Sequence, residues 1–119
     1  MKVFKNCAAQ GDLLIRRIDK LPVDITPVEP ENGVFVVAHS ETGHHHVITA
    51  ERVKAYRPSS GDIYKMFLEI PRLSEEEMPV IQHLRSFDTH EALRPNEGGV
   101  FEIRRQREHT PEGWRRAQD

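Results

Sequence analysis

Apolar residues recur along this chain in short runs separated by proline, glycine and charged positions, the pattern of β-strands joined by turns. Asp12-Leu13-Leu14-Ile15-Arg16-Arg17-Ile18, entered from Gly11, predicts a first strand. Leu21 to Asn32 holds Pro22, Pro27 and Pro30, so no helix can run through it and an extended connection is expected. Val34-Phe35-Val36-Val37-Ala38-His39 is β-branched and aromatic, which suits a pleated, half-buried surface. Ser40-Glu41-Thr42-Gly43 is turn material, and the strand pattern resumes from His44 to Thr49, predicting a hairpin.

Further along, a strand at Arg52 to Tyr56 would turn Val53 and Ala55 inward, and Pro58-Ser59-Ser60-Gly61 closes it. Ile63 to Ile70 predicts another, with Tyr64, Met66, Leu68 and Ile70 on one face. Ser74 could cap a helical turn over Glu75-Glu76-Glu77, but Pro79 stops anything long, so a loop is expected before the apolar run Val80 to Leu84. Pro95 to Gly99 reads as a turn. Val100 to Arg107 then alternates Phe101 and Ile103 with Glu102 and Arg104 as a final strand, and Thr110-Pro111 opens a helical turn over Pro111 to Arg116. About seven strands at this spacing predict an all-β, mainly antiparallel domain over residues 1–119, a small β-barrel or sandwich with a short C-terminal helical turn.

Length and composition sharpen that picture without changing it. A chain of 119 residues is one domain on the usual prior and can bury a core without staples. Its one cysteine, Cys7, cannot form an internal disulfide and suits a reducing compartment. No stretch has signal-peptide or transmembrane character, so a cytoplasmic location with no membrane association is expected. Seventeen Lys and Arg against nineteen Asp and Glu exclude a globally basic nucleic-acid coat. The sequence names no partner. An exposed sheet edge would suit a homodimer or a protein partner.

Candidate chemistry centres on histidine. His39, His44, His45 and His46 are four of the seven in the chain. In a hairpin with a two- or four-residue loop, Phe35, Val37 and His39 share a face with Ile48, His46 and His44, so three imidazoles converge near the turn. Such a group holds a divalent transition metal (zinc, iron, manganese or nickel), leaving a position for a carboxylate, another histidine or water. His90 is the best distant candidate, with His83 and Glu41 behind it. The competing account makes these histidines exposed turn residues or donors to loop carbonyls.

A second cluster is basic. Arg104, Arg105 and Arg107, with Trp114, Arg115 and Arg116, have the chemistry of a nucleic-acid or partner surface. On a strand, however, Arg105 and Arg107 fall on the Phe101 and Ile103 side, where pairing with carboxylates such as Glu51 is expected. No nucleophile elbow, phosphate-cradling glycine loop or CxxC occurs, and whether the chain is an enzyme stays open.

Two resemblances attach to these residues. The H-x-H of His44 and His46, with His90-Glu91-Ala92-Leu93-Arg94-Pro95 and Gly98-Gly99 following, resembles part of a cupin arrangement, which implies a small β-barrel binding metal through histidines and a carboxylate. The glutamate such a motif calls for is only loosely matched by Glu51, and the glycine spacing of the first motif is not reproduced. Over nearly its full length the chain resembles small uncharacterised proteins of bacteria and mobile elements, through Gln10-Gly11-Asp12-Leu13-Leu14, Ala38 to Val47, and Arg104 to Glu108 with Thr110 to Trp114. That resemblance implies a scaffold and no reaction. The expected function is a metal-binding accessory or regulatory protein, the alternative a mobile-element interaction protein that binds a protein or nucleic acid without metal.

Overall fold

The computed structural model describes residues 1–38, 45–83 and 91–105, in two sheets. The strands are β1 (Lys2–Phe4), β2 (Cys7–Gln10), β3 (Leu13–Ile18), β4 (Ile25–Pro27), β5 (Val34–Ala38), β6 (His46–Thr49), β7 (Lys54–Pro58), β8 (Lys65–Ile70), β9 (Ile81–His83), β10 (Leu93–Pro95) and β11 (Gly99–Arg105). One sheet has the order β1-β10-β9-β6-β5 and the other β2-β3-β11-β8-β7-β4. All neighbours are antiparallel except β1 and β10. Both sheets have free edges, so the fold is a sandwich, and the barrel alternative does not form.

Alternation along each strand supplies the core. Met66, Leu68 and Ile70 of β8, Phe101 and Ile103 of β11, and Leu13 and Ile15 of β3 face Phe35, Ile48, Ile81 and Leu93 of the opposite sheet, all buried in one cluster. Val53 and Ala55 are buried as their spacing predicts. Phe4 meets Phe101 edge-on, with centroids 6.0 Å apart, the arrangement ring quadrupoles prefer.

Several expectations are corrected. The first strand is preceded by β1 and β2, and β10 lies where only a turn approach was expected. The extended connection carries β4 and ends in Asn32-Gly33, both at positive φ (52° and 79°). These are the conformations of a type I′ turn, and they close the Glu31–Val34 bridge. Glu75–Glu77 is a 3₁₀ turn, not a plain loop. The Glu77 carboxylate accepts the Ser74 backbone N–H and hydroxyl, both at 3.1 Å, which satisfies the start of the turn. The expected helical turn at Pro111 to Arg116 lies outside the described residues.

The passage from β3 to β4 shapes the outer face of the larger sheet. It spans four inter-strand steps and about four residues along the strands, a diagonal of about 23 Å, and seven extended residues reach no farther. The chain from Asp19 to Asp24 must therefore run nearly straight across that face. Lys20, Pro22 and Asp24 line a shallow cavity of about 390 Å³ together with Arg16, Phe67 and Glu102. Phe67 and Glu102, which alternation turns outward, are buried and line that cavity with the strap.

Candidate functional site

The β2–β3 hairpin turns on two residues, Gly11 and Asp12, because Gln10 pairs with Leu13. Gly11 has φ 62°, the conformation that the first position of a type II′ turn requires and that glycine adopts without steric cost. The turn sets Gln10 inward, 1% exposed, and leaves Asp12 at the rim of the sandwich.

A buried amide must find partners, and those of Gln10 fix its orientation. Its Nε2 donates to the carbonyl of Ile81 (3.0 Å) and to that of Glu91 (2.9 Å). Oε1 is therefore the atom facing His46, 2.8 Å from Nδ1. An amide oxygen only accepts, so Nδ1 of His46 carries a proton. The other ring nitrogen, Nε2, stands 3.3 Å from Asp12 Oδ1. On the far side of that carboxylate, Arg105 Nε lies 3.3 Å from Oδ2. Burial would raise the Asp12 pKa, but hydrogen bonds to His46 and Arg105, reinforced by their charge, hold it below the ordinary carboxylate value.

His46 is 1% exposed and opens β6, opposite His83 of β9. The two imidazoles stack, with centroids 4.1 Å apart and planes within 2°. One ring of the expected metal group is thus fixed on every side, by Gln10, Asp12 and the face of His83.

The remaining histidine expectations are placed only in part. The β5–β6 register sets Phe35 opposite Ile48 as expected, then shifts by one residue, so that Ala38 stands opposite His46 across a β-bulge. The two-strand argument for convergence needed the register unbroken to the turn, and it is broken just before His39. His39, His44 and His90 lie outside the described residues.

The described residues that flank them are nonetheless gathered. Ala38 and His83 pair with His46, the Glu91 carbonyl is held by Gln10, and Arg105 is held by Asp12. In sequence, these residues flank the stretches 39–44, 84–90 and 106–119. Every histidine of the chain lies in those stretches or within two residues of them. Among the described residues, no three metal-ligating side chains converge on one point.

The basic segment divides. Arg104 turns to the outer face, where its Nε lies 3.2 Å from Glu102 Oε1, which also accepts Arg16 Nε at 2.7 Å. Arg105 turns inward as expected, to Asp12 and not to Glu51. These two arginines therefore do not form one surface. Arg107, Trp114, Arg115 and Arg116 lie outside the described residues. Cys7 is free and exposed, and among the described residues no helix is long and apolar enough to cross a membrane.

Sequence reasoning missed Gln10 and Asp12. The available signal was a polar pair flanking a hairpin glycine, which does not say that one member points into the core.

No curated protein and no solved structure matches the chain. A family model described as a domain of unknown function, DUF8820, matches residues 9–106, a span running from the Gln10 hairpin through β11 to Arg105, and by that match the chain belongs to this family.

Proposed function

We propose that this protein binds a divalent transition metal at the histidine rim, with His46 Nε2 and Asp12 Oδ1 as two ligands and with His39, His44 and His90 as the source of the others. What carries the reading is the contact between those two atoms. With Nδ1 protonated, a neutral His46 presents a lone pair to a carboxylate, acceptor against acceptor. A cation belongs between them. The observed separation is 3.3 Å. Two ligands of a tetrahedral ion with bonds of about 2.0–2.2 Å stand about 3.3–3.5 Å apart.

The surroundings fit the same chemistry. A ligating histidine characteristically donates its other ring N–H to an oxygen that fixes tautomer and ring plane, and Gln10 Oε1 takes that place. Imidazole and carboxylate donors suit zinc first, then iron, manganese or nickel. The protein acts as a metal-binding accessory or regulatory module in a reducing cytoplasm, with hydrolytic chemistry open to it if one position holds water.

The test is elemental analysis of untagged protein, with thermal melts in the presence and absence of chelator. About one equivalent of metal, lost in His46→Gln and in Asp12→Asn, supports the proposal. Metal-free protein that zinc, iron, manganese and nickel all fail to stabilise would overturn it, and would assign the cation to a proton and the rim to a partner-binding role.

A further inference from the structure

We infer that the outer face of the larger sheet holds a second site, for the phosphoryl group of a small molecule, between Arg16 and Arg104. Glu102 is 7% exposed, and a single arginine would neutralise it. It has two. Both reach the same oxygen, Oε1, and both do so through Nε. Among the described residues, the Nη groups of both guanidiniums have no hydrogen-bond partner, and the side chains are half exposed, 55% for Arg16 and 51% for Arg104. The carboxylate thus acts as a tether that fixes two guanidiniums side by side and leaves their forks facing outward.

The two arginines border a cavity of about 320 Å³ lined by Leu14, Arg16, Glu102 and Arg104. Through Arg16 and Glu102 it adjoins the strap cavity, where Lys20 and Lys65 add positive charge, Asp24 and Asp62 oppose it, and Ile18 and Phe67 supply an apolar wall. Asp62 is partly occupied, accepting the Tyr64 backbone N–H at 2.8 Å.

Paired, pre-oriented guanidiniums match an oxyanion carrying several oxygens and more than one negative charge. An apolar wall beside them suits a ligand with an organic portion. This site is on the face opposite His46 and holds no histidine, so it stands or falls apart from the metal reading.

The experiment is calorimetric titration of full-length protein, with chelator present and ionic strength held constant, using inorganic phosphate and then phenyl phosphate. Saturable binding of both is expected, tighter for phenyl phosphate. Loss of affinity by about tenfold or more is expected in Arg16→Gln and in Arg104→Gln, with Lys54→Gln, an equal charge change elsewhere, as the unaffected control. Thermal melts of each variant confirm folding. No saturable binding by wild type would overturn the inference. So would equal weakening in all three variants, which would mark a general charge effect, or binding of a single-stranded oligonucleotide in place of either small anion.

Discussion

Replacing Gln10 with methionine isolates the hydrogen bonds that organise the rim, because volume and shape are nearly kept while every polar atom is lost. Three groups are then orphaned: the Ile81 carbonyl, the Glu91 carbonyl and the His46 Nδ1–H. A buried donor or acceptor left without a partner costs about 1–3 kcal/mol. The contact with Glu91 is only part-buried, so its share belongs at the low end, and the total is about 3–5 kcal/mol. A domain of this size holds about 5–15 kcal/mol in all, and the loss corresponds to a fall in Tm of about 10–20 °C. Urea unfolding followed by far-UV circular dichroism measures it directly. A loss below about 1 kcal/mol would refute the reasoning, because it would mean that water or rearranged neighbours satisfy all three groups without Gln10.

Three other outcomes follow from the same geometry. A Cβ on Gly98 would stand 2.7 Å from the Ile70 carbonyl oxygen and closer still to that of Pro71; Gly98→Ala should therefore cost several kcal/mol in the same urea assay, about 2 or more, whereas Gly33→Ala, which meets nothing, should show only the strain of its positive φ. Arg17 donates to the carbonyls of Lys5, Gly98 and Glu97 and to Asn96 Oδ1, and covers the Phe101 ring at 4.7 Å; Arg17→Lys, unable to reproduce that fork, should lose about 2 kcal/mol, and no change would show that these contacts contribute nothing to stability. In acid, Asp12 and Glu102 both have folded pKa values below their ordinary 3.8 and 4.5, since partners outweigh the burial that would raise them. Their contribution is complete above those ordinary values and is lost as pH falls through the lower folded ones, so Tm plotted from about pH 5 to pH 2 should fall less steeply in Asp12→Asn than in wild type.

The sequence makes the strand faces legible where alternation is clean. Val53 and Ala55, or Met66, Leu68 and Ile70, are placed by period alone, because a residue on the wrong face would cross the whole sheet. Short elements such as the edge strand β1 and its neighbour β10 escape this reading, since three residues carry too little pattern to stand out. Asn32-Gly33 was a strong turn signal hidden among prolines. The choice between barrel and sandwich depends on which edges meet, and no local pattern records that.

The candidate site was legible only in its histidines. That the His46 ring is buried, with its orientation fixed, depends on Gln10, which arrives from another sheet 36 residues away. The β-bulge beside Ala38 is equally invisible, because a single extra residue leaves the hydrophobic pattern of β5 intact. Arg104 and Arg105 differ in role for a simpler reason: adjacent residues on a strand face opposite ways, and the two faces offer different carboxylates.

The most direct test of the central claim is the state of one atom, His46 Nε2. Nitrogen-15 chemical shifts of the imidazoles, recorded on metal-free protein during titration with zinc, distinguish a protonated, an unprotonated and a metal-bound nitrogen. The account predicts that Nδ1 keeps its proton throughout while the Nε2 resonance moves to the metal-bound position by about one equivalent of zinc, and that Asp12→Asn weakens the change. A His46 Nε2 that remains an N–H beside Asp12 at excess zinc would contradict it.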